Sequence, residues 1–267
     1  MTAVRRRFGV LARTAYVVLV YLFIFLPVGV LVLFSFQDGQ VSVPPLKGLS
    51  LRWYEALFAD GRMMAALRNS VLVGLVSATI CTALGFLAAY ALARYRPRGA
   101  AALRALLIAP LGVSYLVIGL GLSLAFSEVG IGRSLVTVTI GHVVINLPLA
   151  FAIVLSQMNE RQAHIEKAAR DLGAGELRVL TLVTVPLLLP GIMAAFLLSF
   201  TLSWDEFVIA LLLTRFDVTL PVEIWSALRT GLNPKTNAAG TVVFALSVSL
   251  LAVAYWIGRR RIGRQQR

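Results

Sequence analysis

The amino-acid sequence predicts an all-α integral membrane protein with six transmembrane helices. Of its 267 residues, 59% are hydrophobic, and the mean hydropathy is +0.85. Charged residues make up only 14% of the chain, whereas a soluble domain usually carries about 25%. Six segments without Asp, Glu, Lys or Arg reach the length of about 20 residues that a membrane-spanning helix needs. These observations argue against an ordinary soluble enzyme.

The predicted spans follow one another along a single domain of residues 1–267. One apolar segment alone is also compatible with a buried helix of a soluble protein, but six in series favour a membrane protein. The first span follows several arginines, as a signal peptide does, yet it exceeds a signal core of about 7–15 residues and is expected to remain uncleaved. The spans cover residues 14–37, 69–93, 105–127, 134–159, 186–214 and 236–258.

The distribution of basic residues predicts the orientation of the chain. With six spans, both termini and the loops after the second and fourth spans share one side of the membrane. That side carries 17 of the 25 Lys and Arg residues. Because cytoplasmic loops are enriched in Lys and Arg, both termini are predicted to be cytoplasmic. This topology accounts for the net charge of +13 without a nucleic-acid partner.

The sequence lacks the signatures of several enzyme classes. None of its lysines, Lys47, Lys167 and Lys235, follows a glycine, so a phosphate-binding loop ending in Gly-Lys-Ser/Thr is absent. The single cysteine, Cys81, excludes an internal disulfide and a multi-cysteine metal site. No Ser/His/Asp or Cys/His set is apparent. We expect no catalytic residues, no metal site and no cofactor bound by this chain.

Two features inside the predicted spans are interpreted as structural. Small residues at Gly85 in the second span, and at Gly112, Gly119 and Gly121 in the third, predict helices that pack closely in lipid. His142 lies within the fourth span. It is interpreted as a hydrogen-bonded structural histidine in preference to a metal ligand or a proton relay.

The loop of residues 161–186 is predicted to form two short helices. Apolar residues recur at helical spacing on both sides of Gly173 and Gly175, which interrupt the pattern. A solvated amphipathic loop would show the same pattern. However, the loop resembles the EAA loop of ABC-importer permeases, in which Glu-Ala-Ala is followed after three residues by Gly and after nine more by Ile-x-Leu-Pro. Gly173 and Pro186 fit this spacing, and Lys167 replaces the motif glutamate.

The resemblance implies that residues 161–186 dock on an ATP-binding subunit. In the family, the short helix of this loop sits in a groove of that subunit and transmits its closure to the membrane helices. The resemblance also implies the type I ABC-importer permease fold and a multi-pass location in the cell (inner) membrane. The docking residues that it implies are Glu166, Lys167, Ala168, Ala169, Arg170, Asp171, Leu172, Gly173 and Pro186.

Further segments extend the resemblance over nearly the whole chain. Residues 51–54, 90–99, 198–206 and 220–239 are similar to the second permease subunit of spermidine/putrescine importers. The implied partners, besides the lipid bilayer, are a homologous second permease subunit, an ATP-binding cassette dimer that uses ATP and Mg, and an extracytoplasmic solute-binding protein. Similar permeases carry opines, phosphonates or ferric iron, which remain alternative solutes. A stand-alone secondary transporter is less favoured, because no internal repeat is evident.

The acidic pair Asp205 and Glu206 is the candidate substrate site. A carboxylate within a span costs about 2.5–3.5 kcal/mol, so the pair is expected to face a polar path or a partner. Carboxylates attract polycations such as polyamines, and Trp204 would add a cation–π contact. An acidic pair at this point also agrees with the resemblance, since it is typical of polyamine permeases. Alternatively, Ser203-x-x-Glu206 has the spacing of a capping box and would start a second helical segment after a break.

Two other aromatic residues are candidates for contact with the substrate or with the protein that delivers it. They are Tyr115, in the third predicted span, and Trp225, in the loop before the sixth. An aromatic belt at the membrane interface explains both residues equally well.

Overall fold

The protein is helical throughout most of its length. The computed structural model describes residues 2–95, 97–231 and 233–265. Within this part of the chain, the only strand-like pairing is an isolated bridge between Gln37 and Leu49, so the predicted all-α class is confirmed. In chain order, the helices are α1 (Thr2–Ser35), α2 (Arg52–Phe58), α3 (Gly61–Arg94), α4 (Ala100–Ile108), α5 (Tyr115–Glu128), α6 (Leu135–Gln157), α7 (Glu160–Asp171), α8 (Glu176–Val179), α9 (Val185–Trp204), α10 (Val208–Leu213), α11 (Leu220–Thr230) and α12 (Pro234–Gln265).

Several of these helices could cross a membrane. Among the described residues, four are long and apolar enough: Arg13–Ser35, Gly61–Arg94, Leu135–Gln157 and Glu176–Trp204. A fifth candidate is the pair Ala100–Gly112 and Tyr115–Glu128, whose halves meet at 107°. Four or five of the six predicted spans therefore have a matching helix.

The sixth predicted span and the predicted orientation of the chain remain predictions. The span of residues 236–258 lies within α12, but the side chains of residues 250, 251 and 253–258 lie outside the described residues. The same is true of Arg96, Arg267 and the side chains of Arg5, Arg6, Arg7, Arg259, Arg260, Arg261 and Arg264.

The helices that match the third and fifth predicted spans are not continuous. In the third, a 3-10 turn at Ala109–Gly112 follows α4, and the extended backbone of Val113 and Ser114 separates it from α5. Pro110 in this turn has no backbone N–H to donate, which removes one hydrogen bond of a regular helix at this point. The fifth span ends at Trp204 and resumes as α10.

The chain divides into two compact units. The first comprises Met1–Gly61 and Ile224–Leu246. The segment between α1 and α2 in this unit is organised around the buried side chain of Gln37. Its Oε1 accepts a hydrogen bond from the backbone N–H of Lys47 at 3.1 Å. The indole N–H of Trp53 donates to the carbonyl of Gln37 at 2.8 Å. The loop is thus an ordered structure rather than a simple linker.

The second unit comprises Arg62–Glu223 and Ser247–Arg267. One of its core clusters joins α3, α6 and α9. Gly85 allows α3 to approach α6, since a Cβ at this position would lie 2.8 Å from the backbone nitrogen of Phe151. The predicted close packing is confirmed here. The buried members of the cluster are Cys81, Phe86, Ala89, Ala150, Phe151, Val154, Leu188 and Ala195.

The glycines predicted to pack in the third span behave differently from one another. A Cβ at Gly119 would lie 2.6 Å from Cδ1 of Leu212 in α10, so close packing is confirmed there. Gly112 and Gly121 have no neighbouring atom of the described chain within 4 Å of the corresponding point, so close packing at these two remains a prediction. A small residue is needed only where a second helix comes close.

We expect Gly85→Ala to destabilise the protein, because the new methyl group would meet the backbone of α6 and not a movable side chain. Overpacking of this kind typically costs about 1–3 kcal/mol. Thermal denaturation of the purified full chain in detergent measures the effect. Gly121→Ala is the matched control, since it makes the same change on a helix with open space around it. Equal stability of the two variants would contradict the close contact between α3 and α6.

Candidate functional site

Residues 161–186, called the hairpin below, form two short helices around Gly173. The first, α7, starts with a capping box in which Asn159 accepts from the N–H of Gln162 at 3.0 Å and Gln162 accepts from that of Asn159 at 3.3 Å. It ends at Asp171, and Gly173, two residues later, has a φ of +86° and donates its N–H to the carbonyl of Arg170 at 2.9 Å. The second helix, α8, continues through a π-helical turn at Leu180–Thr184 into α9. The predicted pair of helices is confirmed.

The hairpin exposes apolar side chains that a segment serving only as a linker would not need. Leu172 is 89% exposed and Leu177 is 74% exposed, one on each side of the turn. Exposed apolar surface on an otherwise polar element is typical of a site that contacts a partner. Of the predicted docking residues, Ala169 and Arg170 are partly buried, and those that are exposed are Lys167, Ala168, Asp171, Leu172, Gly173 and Pro186.

Glu166 lies apart from the other predicted docking residues, because it is completely buried. Its carboxylate receives two hydrogen bonds from Arg94, the last residue of α3: Nε donates to Oε2 at 2.6 Å and Nη2 to Oε1 at 3.1 Å. The hydroxyl of Thr184, in the π-helical turn, donates to Oε1 at 3.1 Å. Glu166 therefore faces the interior of the chain and presents nothing to a partner.

A second ion pair stabilises the turn of the hairpin. Arg170 donates from Nε to Oε1 of Glu176 at 2.8 Å and from Nη2 to Oε2 at 3.1 Å. These bonds raise the pKa of Arg170 above its ordinary value, so its guanidinium stays charged. Nη2 of Arg170 also lies 3.5 Å from the hydroxyl of Tyr90 on α3. Arg170 thereby links the two arms of the hairpin and contacts a membrane-spanning helix.

The acidic pair lies at the break between α9 and α10, and its two members have different environments. Glu206 is buried, and its carboxylate accepts the backbone N–H groups of Val208 at 3.0 Å, Ile209 at 2.8 Å and Ala210 at 3.2 Å. It therefore caps the amino end of α10, where backbone N–H groups have no partner within the helix. Asp205, by contrast, is exposed.

The predicted second helical segment after a break is confirmed, but the proposed capping box is wrong in its partners. The hydroxyl of Ser203 does not bond the backbone of α10. It accepts a hydrogen bond from the hydroxyl of Ser77 at 2.9 Å and is hydrogen-bonded to Nδ1 of His142 at 2.6 Å. The cap comes instead from Glu206 alone, since the chain turns at Asp205 and points Ser203 into the bundle.

His142 is buried and hydrogen-bonded, as predicted for a structural histidine. Its Nε2 lies 3.6 Å from Oε2 of Glu206. The imidazole consequently lies between α9, through Ser203, and the carboxylate that caps α10. The contact joins α6 to both sides of the break.

The short helix α10 is also held at its far end. The carbonyl of Leu213 accepts the backbone N–H of Ser134 at 3.1 Å and the hydroxyl of Thr137 at 2.8 Å, both at the start of α6. Gly141 of α6 lets α10 approach closely, because a Cβ there would lie 2.5 Å from Cγ2 of Ile209. With Glu206 at one end and α6 at the other, α10 is fixed in place.

The predicted aromatic residues are dispersed. Trp204 is 3% exposed and stacks near Phe200 with ring centroids 6.3 Å apart, so its ring is closed to a solute in this conformation. Tyr115 is 39% exposed at the start of α5. Trp225 is 46% exposed and belongs to the other compact unit. Their contact with substrate remains a prediction.

Sequence reasoning missed the side chains that bond Glu166 and Ser203. Arg94 counted only as one of the basic residues that orient the chain, and Thr184 and Ser77 were not singled out. One signal was available, because Ser199 and Ser203, like His142 and Asn146, are spaced one helical turn apart within apolar spans. Such spacing indicates a polar stripe facing another helix.

The apolar helices, the buried polar contacts between them and the exposed hairpin define a multi-pass helical membrane protein with a surface suited to a partner. Comparison of sequences identifies the family within this class. The chain belongs to the family described as binding-protein-dependent transport system inner membrane component, whose sequence profile matches residues 81–263. It is therefore a permease component of a transport system.

Two relatives match nearly the whole chain. This chain is 33% identical over 249 residues to the spermidine/putrescine transport system permease protein PotC of Haemophilus influenzae, a match that covers 93% of this chain and 96% of that protein. It is 33% identical over 262 residues to the putrescine transport system permease protein PotI of Escherichia coli K12, covering 95% and 92%.

Solved structures share the fold. A chain of the bacterial alginate ABC transporter in complex with an alginate pentasaccharide-bound periplasmic protein matches with a TM-score of 0.72 and 17% identity. A chain of a bacterial ABC transporter involved in the import of alginate matches with a TM-score of 0.64 and 20% identity. Each match covers 96% of both chains. At this identity the likeness concerns the fold alone.

Proposed function

We propose that this chain is a transmembrane permease subunit of an ATP-driven importer of polyamines such as spermidine or putrescine. The proposed substrate class depends on a single observation, the similarity to PotC and PotI over more than nine-tenths of the chain. The names of both proteins state polyamine transport. The chain itself is non-catalytic in this proposal. ATP and Mg are used by a partner subunit, since no Gly-Lys-Ser/Thr phosphate loop occurs in the sequence.

In the assembled importer, residues 1–267 of this chain form one permease domain in the inner membrane of the cell. The domain has six spans, and both of its termini lie in the cytoplasm. A homologous second permease subunit faces it across the translocation path. A dimer of ATP-binding subunits and an extracytoplasmic solute-binding protein complete the complex. The solved complex of a transporter of the same fold with a periplasmic protein supports such an assembly.

The hairpin is the docking surface for the ATP-binding subunit in this proposal. Leu172 and Leu177 supply its apolar contacts, and Lys167 adds a positive charge where the family motif has a negative one. Closure of the ATP-binding dimer moves the hairpin and with it α9, because the π-helical turn joins them directly. ATP binding then shifts the population from inward-open to outward-open states.

Asp205 is the acidic residue best placed to attract the substrate, because its carboxylate is exposed and the carboxylate of Glu206 is already engaged by three backbone N–H groups. A polyamine carries several ammonium groups, so a carboxylate at the break favours its passage electrostatically. Tyr115 and Trp225 are proposed to contact the substrate or the binding protein that delivers it.

ATP hydrolysis by the complex in lipid nanodiscs tests the proposal. The complex copurified with this chain is mixed with its binding protein and, in turn, spermidine, putrescine, an opine and ferric iron. We expect stimulation by a polyamine only. Stimulation by another solute would overturn the polyamine assignment, and the absence of a copurifying ATPase would favour a stand-alone secondary transporter.

A further inference from the structure

Glu166 joins three elements through one carboxylate. Arg94 of α3 donates two hydrogen bonds to it, one to each carboxylate oxygen. The hydroxyl of Thr184, in the turn before α9, donates to Oε1, which also accepts from Nη2 of Arg94. Glu166 itself belongs to α7. Paired N–H···O bonds between a guanidinium and a carboxylate fix orientation as well as distance. One carboxylate of α7 is therefore bonded to both α3 and the turn that leads into α9.

A second contact between α3 and α7 lies one helical turn away from the first. Arg94 and Tyr90 lie four residues apart on α3, and Glu166 and Arg170 lie four residues apart on α7. Arg94 contacts Glu166 and Tyr90 contacts Arg170, so the two helices run antiparallel with two rungs between them. The rungs link α7 to α3 at two points one helical turn apart.

The pair Arg94 and Glu166 is well shielded from water, with side chains 12% and 1% exposed. Breaking a buried ion pair leaves one charge without compensation, so the two side chains must stay together when the hairpin moves. A cavity of about 590 Å³ lies beside the pair, lined by Arg94, Ala163 and residues of α4 and α6. It leaves α7 room to move on that side.

The helices tied by Glu166 meet again at the substrate site. Ser77 of α3 donates a hydrogen bond to Ser203 of α9, next to the break that Glu206 caps. Ser77 lies 17 residues from Arg94, which is about 25 Å along a helix. The tie at Glu166 and the break at Asp205 therefore lie at opposite ends of α9, and the same two places lie beside the end and the middle of α3.

From this geometry we infer that Glu166 is a positioning residue, which with Arg94 and Thr184 carries movement of the hairpin through α3 and α9 to the break at Asp205 and Glu206. The inference rests on the proposed function and names the residue that couples its two sites. It also separates the roles of neighbouring residues: Lys167 faces a partner, whereas Glu166 faces the chain itself.

Uptake of labelled spermidine and ATP hydrolysis, measured on the same proteoliposomes containing the full complex, test the inference. Glu166→Gln keeps the shape of the side chain and removes its charge. We expect hydrolysis to persist and the number of spermidine molecules imported per ATP to fall about tenfold, within the usual range of coupling between sites. Glu160→Gln, the same change at an exposed position of α7, is the control and should keep the wild-type ratio.

Thr184→Val is a second variant in case Glu166→Gln does not assemble, since it leaves the ion pair intact and removes only the link to α9. It should also lower the import ratio. Retention of the wild-type ratio in either variant that assembles, or parallel loss of hydrolysis and uptake, would overturn the inference by showing no role or a merely structural one. Failure of the wild-type complex to respond to spermidine would instead overturn the proposed function.

Discussion

Replacing Gly173 by valine should abolish copurification of the ATP-binding subunits with this chain, and with it transport. Gly173 has a φ of +86°, a conformation that costs a residue with a side chain about 1–3 kcal/mol and a β-branched residue the most. The turn directs Leu172 and α8 relative to α7. Valine would force the backbone to rearrange and would disrupt the exposed surface on which docking depends.

Gly175→Val provides the matched control for this experiment. Gly175 is two residues away and has a φ of −67°, and a Cβ at this position would meet no other atom within 4 Å, so valine fits there without strain. We expect the control to retain the ATP-binding subunits in pull-down from detergent. If Gly173→Val also retained them at the wild-type level, the hairpin would not be the docking surface.

Local sequence patterns were sufficient to predict the hairpin but not the role of each side chain in it. Helical spacing on both sides of a glycine with positive φ depends on neighbours in sequence, so it could be read directly. The burial of Glu166 depends on Arg94, which lies 72 residues away in the chain. A pattern within the loop contains no information on such a distant partner, and Glu166 was accordingly grouped with its exposed neighbours.

The prediction of the spans was limited in the same way, by contacts between residues far apart in the chain. Apolar length predicted where helices lie, because the bilayer sets that length. The bend after Pro110 could not be predicted, because many membrane-spanning helices contain a proline. Its effect depends on whether neighbouring helices and side chains satisfy the backbone groups that it leaves free. At the fifth span the acidic pair did signal an interruption, yet only the fold shows that Ser203 turns toward His142 while Glu206 caps α10.

Neutralising Asp205 should affect transport, whereas neutralising Glu206 should affect stability. Asp205→Asn is expected to leave folding unchanged and to weaken spermidine uptake, because it removes an exposed charge without removing a structural contact. Two unit charges 4 Å apart attract by about 4 kcal/mol at an effective dielectric constant of 20. Loss of about 1.4 kcal/mol of such attraction lowers the apparent affinity about tenfold.

Glu206→Gln is expected to act mainly on stability. Glutamine keeps one acceptor oxygen but presents an NH₂ group where the second carboxylate oxygen accepted backbone N–H groups of α10. A hydrogen bond to a charged group contributes about 1.5–3 kcal/mol, so the purified chain should denature at a lower temperature than the Asp205→Asn variant.

Initial uptake rates over a range of spermidine concentrations, together with thermal denaturation of each variant, separate the two roles. Asp205→Asn should raise the KM for spermidine at unchanged denaturation temperature, and high salt should reduce the difference from wild type because it screens exposed charges. Normal uptake by Asp205→Asn combined with a raised KM in a stable Glu206→Gln would reverse the assignment and place the substrate at the buried carboxylate.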